Sequence, residues 1–82
     1  MSQADDIRKF AYKHYILPAR NKNATQVTIR AGDIHSKMRL KSRMPAVCGA
    51  LGTKIFEDTY NVKLINRRGS TNGANVYFTF KL

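Results

Sequence analysis

The stretch AGDIHSKMRLKSRMPAVCGALGTKIF, residues 31–56, decides the fold. Ile34 and Met38 stand at i and i+4, so Ala31 to Met38 reads as a short helix. Asp33 lies in its first turn, where the helix dipole favours an anion. Arg39-Leu40-Lys41 reads as a turn. Ser42 is a suitable N-cap, and Pro45 fits a first turn that has no amide partners to lose. Val47 and Leu51 then repeat at i and i+4, Cys48 and Ile55 extend the same stripe, and Phe56 closes it. The spacing predicts a helix over about 43–56, following the short one after a brief turn.

Working outward, the segment from Ala4 to Tyr15 carries Ile7, Phe10, Ala11 and His14 at helical spacing, with Ser2 as N-cap and Asp5 and Asp6 in the first turn. Pro18 disfavours helical backbone at Leu17, so this helix is expected to end by there. Arg20 to Ala24 reads as a basic loop. Gln26 to Arg30 alternates, with Val27 and Ile29 inward, and reads as a strand. Downstream, Val62 to Ile65 and Val76 to Leu82 read as the strands of a hairpin, joined by the loop Asn66–Asn75 with its Asn72-Gly73 turn signal. The expected fold class is α+β, in the order α-β-α-α-β-β, as a single domain over residues 1–82.

A chain of 82 residues supports one modest core and no deep catalytic cleft. Fifteen Lys and Arg face five Asp and Glu, for a net charge of +10. Such an excess attracts polyanions. Half of that charge sits in residues 34–56, where Lys37, Arg39, Lys41, Arg43 and Lys54 meet no acid. A merely solvated face usually mixes signs. The lone Cys48 excludes an internal disulfide, and with His14 and His35 it gives no zinc-ligand spacing. No paired carboxylates, triad or phosphate-binding loop appears, so no catalytic residue, metal or cofactor is expected. The acidic start of the chain is wrong for a signal peptide, and no apolar run has the length of a membrane span. A cytoplasmic location is expected, on the nucleoid if the source is prokaryotic.

The order helix, strand, helix, turn, helix, hairpin resembles a winged helix-turn-helix domain over nearly the whole chain. The stretches Ala31-Gly32-Asp33-Ile34-His35 and Pro45-Ala46-Val47-Cys48 are also similar to short uncharacterised prokaryotic proteins, a likeness that carries no function. The winged helix resemblance implies double-stranded DNA binding, with the helix over 43–56 in the major groove and the wing loop 66–75 on backbone or minor groove. Transcriptional regulation or chromosome organisation would follow.

The side chains suit those roles. Arg43, Ala46, Gly49, Ala50, Thr53 and Lys54 lie opposite the apolar stripe, small in the centre and basic at the ends. Lys37, Arg39 and Lys41 flank the turn. Arg67, Arg68 and Asn72 belong to the wing loop. The DNA-binding set is therefore Lys37, Arg39, Lys41, Arg43, Ala46, Gly49, Thr53, Lys54, Arg67, Arg68 and Asn72. Blander readings stand beside it. A small-residue face also admits another protein, and paired arginines also keep a hairpin edge soluble. RNA or ribosome association and a basic protein-interaction module are the competing functions. Phe10, Phe56, Phe78 and Phe80 are expected in the core, His14 at its edge, Cys48 buried and His35 exposed. The outer face of the first helix, with Arg8, Lys9, Tyr12 and Tyr15, is too cationic for an interface, so a monomer is favoured over a homodimer.

Overall fold

Residues 2–69 and 73–82 are described by a computed structural model. The chain begins as the sequence predicts. The Ser2 hydroxyl accepts the Asp5 amide at 3.1 Å and caps α1 (Gln3–Ala11). Ile7 and Ala11 are buried, and so is Arg8, whose guanidinium is held 3.0 Å from the Asp5 carboxylate. Arg8 therefore leaves the cationic outer face to which its spacing assigned it. The Ser2 hydroxyl and then Arg8 hold the Asp5 carboxyl below its usual range.

The helix does not stop before Pro18. It runs through a π-helical turn (Tyr12–Ile16) into α2 (Leu17–Asn21). In that turn the Leu17 amide bonds to the Tyr12 carbonyl, five residues back. A wider turn separates the proline ring from the carbonyl it would otherwise strike, so the rod absorbs Pro18 instead of breaking. The end comes instead at Asn23, in the left-handed region with φ 60°.

Strand β1 (Gln26–Arg30) leads directly into α3 (Ala31–Lys37). The Ala31 and Gly32 amides bond to the Val76 and Ala74 carbonyls at 2.9 Å, which ties the start of α3 to the far end of the chain. A Cβ at Gly32 would stand 2.8 Å from the Ala74 carbonyl oxygen, so only glycine fits. Helix α3 ends in paired bonds, Leu40 N–H to the His35 carbonyl and Arg39 N–H to Ser36, each 3.0 Å. This C-terminal motif normally places glycine in the left-handed position. Here Arg39 occupies it, with φ 56°.

The segment 43–56 is not one helix. Helix α4 (Met44–Leu51) ends at Gly52, the backbone extends at Thr53, and α5 (Lys54–Tyr60) begins afresh. Glycine weakens a helix interior by about 1 kcal/mol. The break lets Phe56 enter the core from a new direction and leaves Ile55, assigned to the stripe, 56% exposed. Ala50, expected on the outer face, is buried with Val47, Cys48 and Leu51. Ser42 is not the cap. It sits at φ 53°, and Arg43 takes the N-cap place with no side-chain bond.

Strands β2 (Lys63–Arg68) and β3 (Tyr77–Lys81) form the expected hairpin, and β1 adds on the other side of β3. The sheet is antiparallel in the order β1-β3-β2. β2 is longer than predicted, so Asn66, Arg67 and Arg68 are strand residues and not loop. A bulge between Leu64 and Asn66 shifts the register by one residue. Val27, Phe80 and Leu64 align on the inner face, as do Ile29, Phe78 and Arg67. The rows Gln26/Lys81/Lys63, Thr28/Thr79/Asn66 and Arg30/Tyr77/Arg68 alternate with them and face outward. The architecture is thus α+β, a three-stranded antiparallel sheet with helices on one face.

Arg39 holds a backbone conformation that costs a side-chain-bearing residue about 1–2 kcal/mol. Arg39→Gly should therefore raise stability by about 0.5–1 kcal/mol after the entropy of glycine is counted. Thermal unfolding followed by circular dichroism checks this, and a lower melting temperature would contradict it.

Candidate nucleic-acid interface

Helix α4 is fixed on one side and bare on the other. Its buried face packs against α1 and α3. Along its outer side run Pro45, Gly49 and Gly52, with Ala46 half-buried beside them. An added Cβ at Gly49 would meet nothing within 4 Å. The helix therefore presents a flat surface, about 12 Å long at 1.5 Å per residue.

Basic residues flank α4 in sequence on both sides. Arg43 is exposed at the N-terminal end, following exposed Lys41. Lys37 closes α3 and bonds to the Tyr15 hydroxyl at 3.1 Å, with its ammonium 5.0 Å from the centre of that ring. The Tyr15 hydroxyl raises the Lys37 pKa, which keeps the side chain charged. Arg39 is exposed in the turn. At the other end, Thr53 donates to the Ala50 carbonyl at 3.3 Å, and Lys54 opens α5.

The paired arginines of β2 part company. Arg67 lies on the inner face, its guanidinium carbon 5.0 Å from the Phe78 ring centre. It also reaches the end of α4, since a Cβ at Gly52 would stand 3.5 Å from its Nη1. A cation there complements the helix dipole. Arg68 lies on the opposite face, 4.4 Å over Tyr77. Arg67 therefore joins the α4 surface and Arg68 does not. Asn72 lies outside the described residues.

Two further residues shape the site. His35, expected to be exposed, is half-buried, and its Nε2 accepts the Arg43 amide at 3.2 Å. This bond satisfies an amide at the start of α4 that no side-chain cap serves. No local sequence signal marks it, because the partners are joined by tertiary folding of the turn. His14 is exposed and stacked on Phe10 at 4.1 Å. Cys48 is buried as expected, and burial pushes its thiol pKa up against the opposing charge of Arg67. Phe10 is only partly buried, whereas Phe56, Phe78 and Phe80 are fully so.

Comparison with protein-family models, curated proteins and solved structures finds no match to this chain. Among the described residues no helix is long and apolar enough to cross a membrane.

The His35 contact has a measurable consequence. His35→Ala should cost about 0.5–1.5 kcal/mol and speed hydrogen exchange at the Arg43 amide. Unchanged exchange at that amide would show that the imidazole does not hold the start of α4.

Proposed function

We propose that the protein is a winged helix-turn-helix domain that binds double-stranded DNA through α4 and the turn before it. The observation that carries this reading is the bare outer side of α4, with Ala46 and Gly49 exposing no bulk and Arg43 at its head. A helix without protruding side chains approaches a groove closely, and its methyl and methylene groups suit thymine methyls. Lys37, Arg39, Lys41 and Arg43 supply phosphate contacts around the entry of the helix. The end of α4 nears the hairpin at Gly52, where an added Cβ would stand 3.5 Å from Phe78 and from Arg67 Nη1, and Arg67 supports the reading by carrying positive charge to that end of the helix.

Affinity on this reading is mainly electrostatic, with no Asn or Gln on α4 to pair with adenine. The protein is accordingly a weakly selective duplex binder. Lys54 and Thr53 lie past the break at Gly52 and serve as flanking phosphate contacts.

Two substitutions at one position test the seating of α4. Gly49→Ala adds a methyl in open space and should raise stability by about 0.5–1 kcal/mol. Gly49→Glu should fold yet lose at least tenfold in affinity for a duplex of mixed sequence, measured by fluorescence anisotropy. Duplex affinity equal to that of the parent protein in a folded Gly49→Glu variant would remove α4 from the interface.

A further inference from the structure

The outward face of the sheet is a second cationic surface, turned away from the helices. Strand pairing aligns Lys63 with Lys81 and Arg68 with Tyr77, while Arg30 meets Tyr77 from the other side. Between these rows lie Thr28, Thr79 and Asn66, with the two threonine hydroxyls 2.9 Å apart. None of the three strands contains an Asp or Glu. Arg30 is already engaged, 2.8 Å from the Asp33 carboxylate and bonded twice to the Asn75 side chain. Lys63, Arg68 and Lys81 are exposed.

Two features of this face need a reason. Like charges directly opposite on neighbouring strands are destabilising, yet Lys63 and Lys81 are held in register. Lys63 also borders a groove containing Glu57 and Asp58, but Glu57 accepts the Leu64 amide at 2.8 Å and is committed to the edge of β2. Lys81 stands on the central strand, away from that groove. The second feature is the guanidinium of Arg68, laid 4.4 Å over the Tyr77 ring. It sets a planar, exposed cation against the ring on this face. Bases stack on such guanidinium planes as they do on aromatic rings.

We infer that this face binds single-stranded nucleic acid. The lysine pair takes backbone phosphate, and the Arg68–Tyr77 stack takes a base. The two rows are four residues apart along β3, about 13 Å at the usual strand rise. That span accommodates a short extended run of nucleotides. A broad sheet face does not enter a duplex groove as a helix does, so the open strand is the fitting form. The site is independent of the α4 surface, and Arg68 belongs to it.

The test uses labelled 12-mers of deoxythymidine and of uridine, which form no duplex, in anisotropy titrations at low salt with the whole chain. Tyr77→Leu should weaken 12-mer binding at least about fivefold, the low end of a lost base–aromatic stack. Tyr77→Phe should hold it within twofold. Lys63→Ala with Lys81→Ala should weaken it and flatten the dependence on salt, which starts near a log–log slope of about −1.4 for two neutralised phosphates. Gly49→Glu, on the other surface, should leave it unchanged. Circular dichroism melting confirms that each variant is folded. The two oligomers distinguish DNA from RNA as the strand. No binding of either 12-mer, or full affinity in folded Tyr77→Leu and in the lysine double variant, would overturn the inference. Loss in Gly49→Glu alone would also overturn it by moving the strand to α4.

Discussion

The packing of Phe56 on Phe80 is the contact on which the arrangement turns. The rings meet edge to face, with centres 5.0 Å apart and planes at 70°. Such a pair adds about 0.5–1.5 kcal/mol to what burial alone supplies. Phe80 lies on the central strand, in register with Val27 on one side and Leu64 on the other. Phe56 lies on α5, which exists as a separate helix because the chain breaks at Gly52. The contact therefore joins the helical layer to all three strands at once. Tyr60 packs against the same Phe56 at 5.5 Å and stacks on Tyr12 at 4.5 Å, which carries the link to the π-helical turn.

This constraint sets the orientation of α4. With α5 pinned to the sheet, α1 and α3 packed on α4, and Val47, Cys48 and Leu51 buried, α4 has one side left for solvent. That side carries only Pro45, Ala46 and the two glycines Gly49 and Gly52. The same sheet separates the basic residues of its strands onto two faces. Arg67 sits with the helices and Arg68 on the reverse, although they are neighbours in sequence. A charge count treats the +10 as one quantity, but the fold sets even adjacent arginines on opposite sides of the sheet.

Much of the fold is legible in the sequence. Ser2, Asp5 and Asp6 announce the first helix, the alternation of Gln26 to Arg30 announces β1, and that of Val76 to Leu82 announces β3. The misreadings share a cause, since local rules gave way to tertiary packing. Pro18 signals a stop, but a π-helical turn accommodates it. Val47, Leu51 and Ile55 fit one helical stripe, but burying Phe56 favours a break at Gly52. Arg67 and Arg68 sit in a stretch with no large apolar residue, which reads as loop. Pairing with Phe78 and Tyr77 extends the strand through them instead. Of the candidate interface, the exposure of Gly49 and the basic turn were legible from spacing. The bond from the Arg43 amide to His35 and the reach of Arg67 to Gly52 were not, because each joins residues that only the folded chain brings together.

Duplex binding through the basic surface of α4, as proposed, is electrostatic at root. Its most direct test is the affinity of the unmodified protein for a mixed-sequence duplex over a series of salt concentrations. Binding should be tight at low salt and weaken with a log–log slope of about −4 to −7, as roughly five to eight phosphates are neutralised. Absence of duplex binding at low salt, or binding that salt leaves unchanged, would contradict it.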